Sequence, residues 1–153
     1  MKNATSKDED YMVLALVEAQ KALRLGEVPV GCVIVLKDRA IARAHNLRET
    51  KKDPTAHAEI LAIKKAAQRI GGWRLAGTTI YVTIEPCAMC AGAIYQARIE
   101  RLVYGANDLK AGAVKSLFSI LDEKKINHRV AVSGGVLRRE CSEILSGFFK
   151  QNR

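Results

Sequence analysis

At 153 residues, 48% of them hydrophobic, the chain can bury a core without covalent staples and is too apolar for wholesale disorder. No N-terminal apolar run resembles a signal peptide, and no stretch reaches membrane-spanning length. The expected compartment is therefore the cytoplasm, where thiols stay reduced and the four cysteines are poor candidates for disulfides.

One domain over residues 1–153 is expected from this length. The formal charge of +9 is unevenly spread: residues 37–75 carry ten Lys/Arg against four Asp/Glu, and 98–153 carry eleven against six. These two basic blocks flank a nearly uncharged centre, residues 76–97, with a single acidic residue and no basic one. A solvated basic face and a polyanionic partner such as nucleic acid both fit this pattern.

"DEDYMVLALVEAQKALRLG" is predicted as an amphipathic helix, with Met12, Leu16, Ala19 and Leu23 on one stripe and Gly26 ending it. "VGCVIVL" and "AIARAHN", joined by "KDR", predict a hairpin over 31–46, followed by a basic loop, "LRETKKDPT". "HAEILAIKKAAQRI" predicts a helix stopped by Gly71-Gly72, with Thr55 as its cap. "GTTIYVTI" predicts a strand, and "PCAMCAGAIYQARI" a helix with Pro86 at its first position. "RLVYG" and "RVAVSGG" predict strands, "SLFSILDEK" a short helix, and "VLRRECSEILSGFFK" the last helix. Strands alternating with helices imply a sheet covered on both faces, with parallel pairing in its later part. Ligands on such sheets bind beyond the strand ends, where helices begin. Two predicted helix starts, "TAHAE" and "EPCAMC", therefore matter most.

Cys87 and Cys90 stand three apart at one of these starts, so both sulfurs fall on one side of the first turn. Free N–H groups and the helix dipole there favour thiolates. Alone, the pair fits a redox couple as well as a metal site. His57 supplies a third soft ligand, and three ligands leave a place for water, whereas structural zinc takes four. Bound zinc makes hydroxide available near neutral pH, and a nearby carboxylate, Glu59, can move the proton. His57 and Glu59 share one site only if His57 lies in the non-helical lead-in of its helix. Cys32 and Cys141 read as core residues, and nothing in the spacing recruits His45 or His128.

"HAE" followed by "PCAMC" resembles the zinc-dependent, cytidine-deaminase-like superfamily. "EVPVG", "DPTAHAEI", "TIYVTIEPCAMCAGAI", "RIERLVYGANDLKAGA" and "GGVLRRECSEILSGFF" are similar to the bacterial tRNA-specific adenosine deaminases over nearly the whole chain. The resemblance implies a three-layer α/β/α fold around a mixed five-stranded sheet. It implies one Zn2+ per subunit on His57, Cys87 and Cys90, with Glu59 as proton shuttle. The reaction it implies is hydrolysis of adenosine to inosine at the wobble position of an arginine tRNA. Asn46 matches a position that hydrogen-bonds the flipped-out nucleotide, Val28 and Pro29 match pocket walls, and Ala58 a backbone contact to the base. Asp108, Lys110, Phe148 and Phe149 match regions that contact the anticodon stem-loop. The family is homodimeric. Many relatives carry a basic residue where this chain has Asn107, so a phosphate contact does not transfer there. Lys51 and Lys52, between Asn46 and His57, are placed to steer phosphates. Three other readings compete: a deaminase of guanine or a cytosine nucleotide, an RNA-binding module with structural zinc, and a thiol oxidoreductase.

Overall fold

The computed structural model describes residues 5–152. Five strands form one sheet in the order β2-β1-β3-β4-β5. They are β1 (Gly31–Leu36), β2 (Arg39–His45), β3 (Thr78–Ile84), β4 (Arg101–Ala106) and β5 (Ala131–Ser133). The β2-β1-β3 half is antiparallel and the β3-β4-β5 half is parallel. The hairpin turn is Lys37-Asp38, both at positive φ, the geometry that suits the twist of its strands.

Helices α2 (Ala58–Ile70) and α3 (Ala88–Gln96) cover one face of the sheet, burying Ala62, Ala66, Ala91 and Ile94 against Ile34, Ile80, Val82 and Leu102. Helices α1 (Ser6–Arg24) and α4 (Arg138–Gln151) cover the other, where Met12, Ala15 and Cys141 meet Val33, Tyr81 and Val103. The fold is thus three-layer α/β/α around a mixed five-stranded sheet, as expected. The buried face of α1 is rotated from the predicted stripe: Met12, Ala15, Ala19 and Ala22 are buried, while Leu16 and Leu23 are only half-buried. Alanines let this helix lie directly on the sheet. A Cβ added at Gly31 would fall 1.8 Å from the Ala15 carbonyl oxygen, so the close approach needs glycine there.

Helix α1 is anchored by charge as well as packing. Asp8 sits in its first turn and accepts from both Arg101 terminal nitrogens at 2.8 Å and from the Tyr81 hydroxyl at 2.8 Å. Thr5 and Asp8 close a reciprocal capping box ahead of this pair.

Four elements differ from their predicted form. Thr55 does not cap α2, because its hydroxyl donates to Asp53 at 2.7 Å, and the capping residue is His57 itself. Pro86 precedes α3 instead of opening it, and Cys87 takes the cap position. "SLFSILDEK" holds only a three-residue 3-10 turn, Ile120–Asp122, and β5 keeps three residues of its predicted seven. These last two segments run between the 107–119 loop and α4, and their backbone is bound mainly by loop contacts, such as Ile120 N–H to Ala113 at 3.0 Å.

Candidate active site

The site forms where α2 and α3 begin. His57 is extended at φ −73°, ψ 154°, and Cys87 at φ −76°, ψ 178°. Each is the last non-helical residue before its helix, so its side chain projects past the helix end and across to the other. His57 Nδ1 lies 3.7 Å from Cys87 Sγ and 3.6 Å from Cys90 Sγ. The three ligand atoms fall within 4.8 Å of one another, and they are the one such group of three among the described residues. One imidazole and two thiols at this separation suit a soft, tetrahedral cation with its fourth position left to a non-protein ligand. Cys32 and Cys141 are fully buried in the core and stand outside the group, and His45 is taken by Glu18 at 2.9 Å.

The extended lead-in at His57 is also what lets Glu59 share the site. Glu59 is 3% exposed and lines the same cavity as His57 and Cys87. Burial raises its carboxyl to about 7, so it can hold or release a proton near neutral pH. The Cys87 thiol moves the other way. Its hydrogen bond with Cys90 leads, burial opposes, His57 adds, and the result is a pKa of about 4. Cys90 is pushed strongly upward by that same bond and by burial.

The cavity has a volume of about 610 Å³, ample for a purine nucleoside. Val28, Val30 and Asn46 form one wall, and Asn107 to Ala111 form the opposite rim. Leu145 and Phe149 of α4 close the outer edge. Asn46 bridges the first wall to the next loop, donating to the Val28 carbonyl at 3.2 Å and accepting from Arg48 N–H at 3.1 Å. Each end of its amide keeps spare hydrogen-bonding capacity for a ligand.

The chain is similar to known proteins over nearly its whole length. A Bacillus subtilis (strain 168) protein named tRNA-specific adenosine deaminase is 50% identical over 148 residues, covering 97% of this chain and 92% of that protein. A Haemophilus influenzae protein of the same name is 51% identical over 147 residues, covering 95% and 85%. The chain belongs to the tRNA-specific adenosine deaminase family. The model of the MafB19-like deaminases matches residues 6–153. A solved structure from work on A-to-I editing by tRNA:A34 deaminases is 48% identical, with a TM-score of 0.86 over 89% of this chain and 99% of its own.

In this deaminase the site residues expected from sequence divide into two groups. Val28, Asn46, Ala58, Asp108, Lys110 and Phe149 all line the cavity. Pro29 does not: it is buried between Val28 and Val30, which face the cavity as alternate residues of an extended segment. Phe148 does not either; it lies in a groove between α1 and α4 with Leu16 and Leu23, edge-on to Phe149 at 5.3 Å. One helical position separates the two phenylalanines, and that rotation sends one inward and one to the cavity rim. Lys51 and Lys52 are exposed but off the cavity; Arg48 is the basic residue of that loop that lines it.

Glu85, which the sequence offers as a pocket-lining residue, does line the cavity; what sequence reasoning missed is that it and a second buried glutamate, Glu27, hold these walls. Glu27 is 1% exposed and accepts from Glu49 N–H at 3.1 Å and Thr50 N–H at 2.6 Å. Glu85, also 1% exposed, accepts from five residues' worth of the opposite rim: Asn107, Asp108, Val114, Lys115 and Ser116. Burial alone would raise the Glu85 carboxyl, but the bonds from Ser116, Lys115 and Asp108 outweigh it and hold the group at about 2. Asn107 spends its amide on Glu85 and on the Tyr104 hydroxyl, each at 3.2 Å, so it serves the loop's own structure.

Proposed function

We propose that this chain hydrolyses adenosine to inosine at the wobble position of a tRNA, with an arginine tRNA as the expected substrate. The observation that carries the reading is the three-ligand group of His57, Cys87 and Cys90, two of which, His57 and Cys87, line the same cavity as Glu59. The donor set fits Zn2+, and His57, Cys87 and Cys90 are the residues that would hold it. Zinc so bound supplies hydroxide at neutral pH by lowering the pKa of water.

The chain's own residues do the rest. Glu59, buried and poised near neutrality, would carry two protons in turn: the first from the attacking water to an adenine ring nitrogen as the C–O bond forms, the second from the resulting hydroxyl to the amino group, which leaves as ammonia as the C–N bond breaks. Ala58, at the first turn of α2, offers backbone to the base edge, and Asn46 uses the spare hydrogen-bonding capacity of its amide on the nucleotide. Val28, Val30 and Ile84 give the flat base apolar walls and exclude bulk water from the reacting carbon. Arg48, Lys110 and the exposed Phe149 stand around the mouth, where phosphates and the neighbouring unstacked bases of an anticodon loop would lie.

The same reading makes the chain one deaminase domain working as a homodimer. Leu117 and Phe118, each 53% exposed just past the rim loop, are apolar surface that a second copy would cover. All four cysteines are free, which fits the cytoplasm. Among the described residues no helix is long and apolar enough to cross a membrane.

The deciding experiment is inosine detection in an arginine tRNA anticodon stem-loop, beside ammonia release from free guanine. Inosine with no guanine turnover is the expected result. Guanine turnover without inosine overturns the reading in favour of a small-molecule deaminase.

A further inference from the structure

Glu85 directly follows β3, two residues before Cys87, and its carboxylate is wrapped by a loop that begins more than twenty residues later. Oε1 accepts from Asn107 Nδ2 at 3.2 Å, Asp108 N–H at 3.1 Å and the Ser116 hydroxyl at 2.5 Å. Oε2 accepts from Val114 N–H at 3.1 Å, Lys115 N–H at 2.8 Å and Ser116 N–H at 2.9 Å. All six donors are neutral groups, so the carboxylate does not answer a buried cation; it organises backbone. The loop is stitched to the same segment elsewhere, by Ala113 N–H to the Pro86 carbonyl at 2.8 Å and by the bridge between Cys87 and Gly112. A Cβ at Gly112 would sit 2.3 Å from the Glu85 carboxyl carbon, so the wrap closes only around glycine. What the loop presents outward is the rim: Asp108, Leu109, Lys110 and Ala111, with Leu109 82% exposed.

We propose that Glu85 is a positioning residue that sets the 107–111 rim for capture of the anticodon loop, acting on substrate binding and not on the chemical step. The proposal rests on the reading that the substrate is an anticodon loop. Free of this carboxylate, the Val114, Lys115 and Ser116 N–H groups have no common acceptor, and only the Ala113–Pro86 bond and the Cys87–Gly112 bridge still tie the loop to the metal-ligand segment. Loss of a preformed rim lowers affinity through the cost of ordering it at each encounter.

The test is Glu85→Gln in the metal-loaded enzyme. The carboxamide keeps the shape but turns an N–H2 group toward N–H donors, breaking half the wrap. Expected is amide exchange at 108 and 114–116 faster by about tenfold or more, while α2 and α3 keep wild-type exchange. On the stem-loop, KM should rise by about tenfold, with kcat within about threefold and metal content unchanged. A merely destabilised fold would instead lower the active fraction, and hence kcat. Ser116→Ala, which removes one of the six bonds, should move KM the same way by a few-fold. It decides the matter if Glu85→Gln does not fold. A fall in kcat at constant KM, loss of metal, or unchanged exchange at 114–116 overturns the proposal. A wild-type enzyme that makes no inosine in the stem-loop overturns the substrate reading instead, and the exchange measurement then still decides whether Glu85 orders the rim.

Discussion

Replacing Glu59 with glutamine should have opposite consequences for activity and for the stability of metal-stripped protein. In the loaded enzyme the amide cannot carry a proton, and loss of general acid–base catalysis costs roughly 100- to 10,000-fold in rate. In protein stripped of metal, burial raises the Glu59 carboxyl from 4.5 to about 7. A carboxyl raised on folding favours the fold while it stays protonated. That advantage is full below 4.5 and is lost as the pH rises through about 7. The interval corresponds to roughly 3 kcal/mol of folding stability forfeited at pH 8. Glutamine has no charge to desolvate. Stripped Glu59→Gln should therefore exceed stripped wild type by roughly 3 kcal/mol at pH 8, or about 6–12 °C in Tm, and match it near pH 4. Urea unfolding after chelator treatment at the two pH values measures the stability, and inosine formation by the reloaded proteins measures the rate. Equal stability at pH 8 would mean that the carboxyl is not desolvated as the structure has it. Inosine formation within tenfold of wild type would remove Glu59 from proton transfer.

Three further outcomes are expected. His57→Ala or Cys87→Ala should abolish both bound zinc, measured by elemental analysis, and deamination, whereas Cys141→Ala, in the core beneath α4, should retain the metal. Arg101→Met leaves the buried Asp8 carboxylate without its cation and should cost roughly 3–5 kcal/mol by chemical denaturation. Burial raises the Asp8 pKa, but the bonds from Arg101 and Tyr81 outweigh it and keep the group below 3.8. Its contribution is present above that value and fades as the pH falls further, so wild type and variant should converge in acid. Phe149→Ser should raise KM for the stem-loop and spare the fold, because the side chain is 54% exposed at the cavity rim. Phe148→Ser should instead cost roughly 1–2 kcal/mol of stability and leave KM alone, since its ring packs between α1 and α4.

Much of this molecule was legible in its residues. Period-two runs such as "TTIYVTI" and period-3.6 runs such as "AEILAIKKAAQRI" mark strands and helices whose bounds the fold keeps to within a few residues. The ligand group was legible for a different reason. Metal chemistry restricts both residue type and spacing, so Cys87, Cys90 and His57 stand out in a chain with four cysteines and three histidines. The condition that His57 and Glu59 imposed on each other, two apart yet sharing a site, is met by one extended residue at the helix start. Less was legible where a local pattern fits two faces. Leu16 and Leu23 are better apolar residues than Ala15 and Ala22, yet the alanines face the sheet, because closeness over Gly31 decides the face and bulk does not. The same ambiguity of one helical position separates Phe148 from Phe149.

Glu85 was hidden for a deeper reason, and the reason shows what a better reading would look for. A buried carboxylate paired with arginine leaves two charged residues to match; one paired with backbone N–H groups leaves only itself, because every donor is common to all residue types. Its partners lie at 107–116: four of the six donors are backbone N–H groups, Asn107 and Ser116 add one side-chain donor each, and Gly112 supplies the space the wrap needs. Yet one signal was present. Residues 76–97 hold a single charged residue, and it stands just past a buried strand and directly before a metal-ligand helix. A lone acid in such a place cannot be solvated like a surface residue, and it has no local cation. It must be answered by N–H donors brought from elsewhere in the chain, and the loop that brings them is positioned by doing so. Glu27 obeys the same logic on the opposite wall, where it holds Glu49 and Thr50 beside Arg48. Buried carboxylates therefore back two parts of the cavity lining, Glu27 behind the Glu49-Thr50 backbone and Glu85, itself part of the lining, behind the 107–116 loop.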